Sequence, residues 1–179
     1  MPDTDTGTPP RTLLVVAAVL VVALAVAVAV IGIVSRDSGD EGAAGPLPLV
    51  PVDAPQAASP ECASLLPAMP ATLDSKGTPL PRRTIAEPAP EATIAWGSPE
   101  ALVLRCGLGT PPELTPTSQL RVVSGVQWLP VEGPGASTWY AVDRAVYIAL
   151  TVPDSAGTGP LQQVSDVIAA ALQPVPLRF

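Results

Sequence analysis

Apolar positions fall into three regimes along the chain. From Leu13 to Val34 every residue is apolar or glycine: nine Val, six Ala, four Leu, two Ile and Gly32. From Ser35 to about Ser59, isolated apolar residues are scattered among Pro, Gly and acids. From Pro60 onwards, short apolar runs of β or helical spacing are broken at intervals by Gly, Pro and Ser. The first regime predicts a membrane helix, the second a tether and the third a folded domain.

The 22 residues Leu13 to Val34 would span about 33 Å as a helix, against roughly 30 Å of hydrocarbon. Val-rich sequence is a poor helix former in water. In lipid a lone strand would leave its backbone unpaired, so the helix is the single-segment solution. A cleaved signal peptide is the competing reading, but its apolar region is normally only ~7–15 residues long. The length therefore favours an uncleaved signal anchor. Arg11 precedes the run and Arg36 follows it, so charge alone orients it weakly. The short leader, with nothing to fold, and the two cysteines place residues 1–12 in the cytoplasm and the remainder outside.

Residues 35–59 read as a disordered Pro/Gly-rich linker, since Pro46, Pro48, Pro51 and Pro55 forbid a helix and the acids supply no core. Residues 60–179 suit one domain. Glu61 to Leu66 predicts a short helix stopped by Pro67, and Ala71 to Pro90 an irregular Pro-rich stretch. Thr93 to Trp96 and Ala101 to Arg105 predict strands around the Gly97-Ser98-Pro99 turn, and Gly107 to Pro116 a loop. Leu120 to Val123 and Val126 to Val131 predict two more strands, hinged at Ser124-Gly125. Ser137 to Val142 and Ala145 to Val152 predict a hairpin through Asp143-Arg144. Leu161, Val164, Val167, Ile168, Ala171 and Leu172 mark one face of a final helix closed by Pro174. The expected class is α+β: one N-terminal transmembrane helix, a tether, then a small antiparallel-sheet domain with flanking helices.

Charge removes several functions. Nine basic residues against sixteen acidic give −7, and the nearest basic patch is Arg82-Arg83, so nucleic acid is excluded as a partner. With no His in the chain, imidazole-based triads and metal sites are absent. The acids Asp37, Asp40 and Glu41 lack an EF-hand's alternation, so neither a metal nor a cofactor is expected. Cys62 and Cys106 lie 44 positions apart, too far for a CxxC centre. Outside the membrane they predict a structural disulfide.

Candidate chemistry is sparse. Gly107-Leu108-Gly109 opens like a dinucleotide fingerprint, but Pro111-Pro112 blocks the helix that would receive phosphates. Gly133-Pro134-Gly135 is a hairpin connection, and Ser75-Lys76 lacks the spacing of a Ser-x-x-Lys dyad. Glu87, Glu91, Glu100 and Glu113 lie on predicted loops, and nothing marks two of them as a pair. No enzyme is expected. The alternative is a carboxylate-dependent envelope hydrolase or transferase, which needs two acids about 5–10 Å apart. The remaining candidates are Trp96, Trp128, Arg105 and Arg144 as ligand or partner contacts, Trp and Arg being common at binding surfaces. In the competing reading the Trp residues fill the core and the Arg residues serve as ion-pair or cation–π partners.

Ala95-Trp96-Gly97-x-Pro99, Leu104-Arg105-Cys106-Gly107, Gly125-Val126-x-Trp128 and Asp143-Arg144, after Cys62 and a membrane helix, resemble an uncharacterised family of actinobacterial envelope proteins. That family is defined only as a domain of unknown function. The resemblance covers about residues 60–153 and implies one membrane helix and a bridge between the two cysteines. It implies no activity. The expectation is an accessory or binding module in the plasma membrane, single-pass, with its C-terminal domain outside. Its expected partners are the bilayer, through Leu13 to Val34, and an envelope protein.

Overall fold

The computed structural model describes residues 45–179, together with residues 20, 22, 24 and 25, which lie in helical conformation. The membrane helix expected over Leu13 to Val34 thus falls, apart from those four positions, outside the described residues. Among the described residues no helix is long and apolar enough to cross a membrane.

The folded unit, Ala44–Phe179, is one antiparallel sheet with two helices packed on it. Helix α1 spans Pro60–Ala68. Strands β1 (Thr72–Ser75), β2 (Thr78–Arg83), β3 (Thr93–Trp96) and β4 (Leu102–Leu108) follow. Then come β5 (Arg121–Val123), β6 (Val126–Gly133), β7 (Ala136–Ala141), β8 (Tyr147–Pro153) and helix α2 (Gly159–Ala171). The strand order is β1-β2-β3-β4-β8-β7-β6-β5. Every pairing is antiparallel, so the α+β expectation holds for this region.

Alternation along the central strands divides the sheet into two faces. Leu102, Leu104 and Cys106 of β4, Ile148, Leu150 and Val152 of β8, and Trp128 of β6 face the helices. There they meet Leu65 of α1 and Leu161, Val164 and Ile168 of α2 in the main core. The predicted apolar stripe of α2 is therefore the buried one, with Ala171 alone exposed. The outer face carries a smaller cluster of Leu129, Tyr147 and Ala149, covered by Leu114 and Leu120 of the 109–120 loop and by Leu177 of the tail.

Two expectations about Pro-rich sequence are corrected. Ala71 to Pro90 is not irregular throughout, because it contains the β1–β2 hairpin. Lys76 and Gly77, at φ +54° and +79°, make its turn, with both central residues left-handed as such hairpins require. The Arg82 N–H donates to Ala71 O, so alternate N–H groups of β2 face β1. Pro79 and Pro81 then lie at the positions facing away. β3 reaches β2 only at Arg82 and Arg83, so the missing donors break no ladder bond there.

The linker expectation likewise fails over residues 45–59. Leu47 bridges Ile85 in parallel, its N–H donates to Thr84 O, and Gln56 N–H donates to Gly107 O. This stretch is a strap lying along the domain, with Ala54 packed on the outer cluster. Gly107 permits the crossing. At φ +83° it carries no side chain, and a Cβ there would stand 2.3 Å from Gln56 C and 2.4 Å from Ala57 N. Those neighbours are backbone and cannot rotate away. Gly107→Ala is expected to detach the strap. Limited proteolysis should then cut within residues 45–57 at least several-fold faster than in the parent protein, while the two buried Trp residues keep their fluorescence. An unchanged digestion pattern would show that the strap tolerates the side chain.

Candidate functional site

The bridge pairs Cys62 with Cys106, and both residues are fully buried. It ties α1 to β4 one residue before the glycine beneath the strap. Three elements therefore converge on residues 105–107: the helix through the disulfide, the strap through Gly107, and the outer face through Arg105.

Arg105 points to the outer face, the side opposite its β4 neighbours Leu104 and Cys106. Across the sheet it pairs with Thr93 on β3 and Ala149 on β8, and Ala149 pairs with Tyr140 on β7. Its guanidinium is half-buried. One Nη donates to Val50 O of the strap at 3.3 Å, and Nε is buried without a partner. Among the described residues the one ion pair within 4 Å joins Asp143 and Arg144, so none of their carboxylates pairs with Arg105. Arg105 lines a groove of about 230 Å³ with Val52, Asp53 and Ala54 of the strap, and with Glu91 and Thr93. The Thr93 hydroxyl donates to Glu91 O, which fixes that rim.

Burial lowers the pKa of Arg105, partly offset by the nearby Tyr140. Burial also raises that of Tyr140, assisted by Glu113 and opposed by Arg105. The neutral phenol is thus the form the fold favours. Its contribution to stability is fully present below pH 10 and is lost as pH rises through the raised folded-state value. Removing Arg105 takes away the one opposing charge. In an absorbance titration of tyrosinate on a Tyr147→Phe background, Arg105→Ala should move the Tyr140 midpoint further up and Glu113→Gln should move it down. A midpoint that stays put in both would uncouple the three groups.

The other three candidate residues are not at this groove, and their reading as ligand contacts is corrected. Trp96 is fully buried. Its indole N–H donates to Pro70 O at 2.9 Å, and Arg82 lies over its ring at 5.4 Å. Trp128, also fully buried, donates from Nε1 to Ser165 Oγ at 3.0 Å. Ser165 Oγ in turn donates to Leu161 O of the same helix at 2.6 Å. Both Trp residues fill the helix-side core and satisfy their one donor there. Arg144 is 1% exposed. Its Nη1 donates to Asp143 O and stands 2.8 Å from Asp143 Oδ1, while Nη2 donates to Gly125 O. The sheet brings none of these three to Arg105.

Sequence reasoning missed Asp53, assigned to the linker, and did not single out Tyr140. A period-2 count along β4 places Arg105 opposite Leu104 and Cys106, which is the one signal that separates it from the core arginine. A second cleft lies between the β1–β2 turn, residues 98–100 and the 153–156 loop. Its polar groups are engaged with one another: Lys76 Nζ donates to Ser155 O at 2.7 Å, and Ser155 Oγ donates to Glu100. Among the described residues no three His, Cys, Asp or Glu side chains group so as to hold a metal ion.

The family described as protein of unknown function (DUF3515) matches residues 15–177, nearly the whole chain. The chain belongs to that family. The match begins inside the apolar run and continues through the strap to the tail. The DUF3515 pattern is therefore wider than the 60–153 stretch that carries the motif resemblance. No curated protein and no solved structure matches this DUF3515 chain.

Proposed function

We propose that this DUF3515 protein is a membrane-anchored, extracytoplasmic binding or accessory module of the bacterial cell envelope. In this reading the Arg105 groove on the outer sheet face is its contact surface. The observation that carries the proposal is the state of Arg105: half-buried, with one long hydrogen bond and no ion-pair partner among the described residues. Buried polar groups normally have partners, and a guanidinium with free donors beside a groove is a site for a ligand or partner group. The anchor is Leu13 to Val34, long enough for a bilayer. The outside placement draws on the disulfide, since such bonds persist in oxidising compartments.

Val122 on edge strand β5 is 69% exposed, which makes Val122→Cys a reporter of topology. In intact cells a membrane-impermeant maleimide should label that cysteine in the full chain, and should label Thr4→Cys only after lysis. Labelling of Val122→Cys only after lysis would place the domain inside. For the contact surface, a photo-crosslinking residue at Val52, an exposed position on the strap side of the groove, should capture a defined product that disappears with Arg105→Ala. A product unaffected by that substitution would remove Arg105 from the surface.

The alternative, a carboxylate-dependent envelope hydrolase or transferase, draws on one observation: Asp53 and Glu91 line the same groove. It requires that the bound molecule be consumed, whereas a binding module returns it intact.

A further inference from the structure

The groove beside Arg105 carries both signs of charge in a small volume. Arg105 supplies the cation from β4. Asp53 supplies an anion from the strap and Glu91 a second from the loop before β3. Neither acid approaches the guanidinium within ion-pair distance. The groove thus holds opposite charges apart. At about 230 Å³ it falls below the ~300–1,000 Å³ of drug-sized sites, and its strap side is apolar at Val52 and Ala54.

From this arrangement we infer that the groove binds a small zwitterion bearing an ammonium group and a carboxylate, such as an amino acid or the free ends of a short peptide. The carboxylate docks on Arg105, and the ammonium lies between Asp53 and Glu91. The inference rests on the reading of this face as a contact surface and gives it a ligand class.

The charges select against simpler ligands. A lone anion would gain Arg105 but face two carboxylates on the same walls. A lone cation would gain the acids but leave the guanidinium without a partner. A ligand carrying both signs at a separation that spans the groove satisfies both walls at once. The guanidinium offers a planar fork matched to a carboxylate, and Nε, its one buried unpartnered donor, is part of that fork. The acids sit on exposed segments and leave an ammonium's remaining donors to water. Because Asp53 belongs to the strap, the site is complete only when the strap is docked across Gly107.

Isothermal titration of the full chain at pH 7 with alanylalanine tests the inference. Two blocked forms serve as controls that need no mutant to fold: N-acetyl-alanylalanine lacks the ammonium, and alanylalanine amide lacks the carboxylate. Free dipeptide should bind roughly tenfold or more tightly than either blocked form, each loss removing a charge-assisted contact. Arg105→Ala should abolish binding of the free dipeptide, and Arg105→Lys should weaken it by keeping the charge without the fork. Asp53→Asn with Glu91→Gln should weaken the free dipeptide and bring the acetylated form up to meet it. Blocked forms that bind as well as the free dipeptide would overturn the inference, as would free dipeptide binding that survives Arg105→Ala. So would no binding at all. A captured product at Val52 alongside absent dipeptide binding would leave the contact surface standing and remove the zwitterion. Dipeptide binding without a captured product would support the groove as a contact surface for a small ligand and remove a macromolecular partner from it.

Discussion

Asp143→Ala is expected to destabilise the domain by about 3–5 kcal/mol, the usual consequence of removing one partner from a buried ion pair. Arg144 cannot escape to water: it is 1% exposed, and Asp143 is 2% exposed. The guanidinium would keep its bonds to Asp143 O and Gly125 O, but its charge would stand uncompensated, with Nε already unpartnered. The pair also organises the tail. Val175 N–H donates to Asp143 O, Arg178 donates to the carbonyls of Arg144 and Ala145, and the Tyr147 hydroxyl donates to Arg178 O. Loosening residues 143–145 therefore loosens 175–178 and uncovers part of the outer cluster. Arg144→Met should cost a similar amount, because it strands the carboxylate instead. The double substitution should recover much of either loss, since it leaves no buried charge. Urea unfolding followed through the two buried Trp residues measures all three. A loss in the double variant equal to the sum of the two single losses would show that the pair is not coupled.

That pair shows where sequence reasoning stops. Asp143-Arg144 between two β-type runs reads as a hairpin turn, and it does lie between β7 and β8. What sequence cannot show is that Gly125 and the tail close over it from 19 to 34 residues away. Patterns of period 2 and 3.6 are local, and they place β3, the β7–β8 hairpin and the buried face of α2 correctly. The β1–β2 hairpin escapes because its prolines mask the Leu73 and Leu80 that pair across it. Reading them as breakers overlooks that every second strand position needs no donor on a given side. The strap escapes for a different reason. Its own residues are too polar and Pro-rich to predict packing, and its docking depends on a glycine some fifty residues later. At the site, Trp and Arg look alike wherever they stand in a sequence. Trp96 and Trp128 meet their carbonyl and hydroxyl partners only through the tertiary fold, whereas Arg105 stands apart by its parity along β4.

Replacing Cys106 by Ser, or both cysteines by Ala, is expected to lower stability by about 4 kcal/mol, from the chain entropy released by opening the loop. The loop closed by Cys62 and Cys106 spans 44 positions and contains α1, β1, β2 and β3, so nearly half the sheet is ordered inside it. For a domain of this size that loss corresponds to a melting temperature lower by roughly 10–20 °C. The single and double variants separate the cross-link from the side chains. Cys106→Ser adds a hydroxyl to a fully buried position, whereas the double Ala variant adds none, so a larger loss in the single variant measures that burial rather than the bridge. The effect should not stay confined to α1. Cys106 precedes the glycine under the strap, and Arg105 precedes Cys106, so freeing β4 from the helix frees the floor of the groove as well. Hydrogen exchange should then quicken at Gln56, whose N–H donates to Gly107 O, before it quickens in the distant β6–β7 ladder. Uniform exchange throughout the sheet would mean that the bridge stabilises only globally and does not hold the strap and the Arg105 face together.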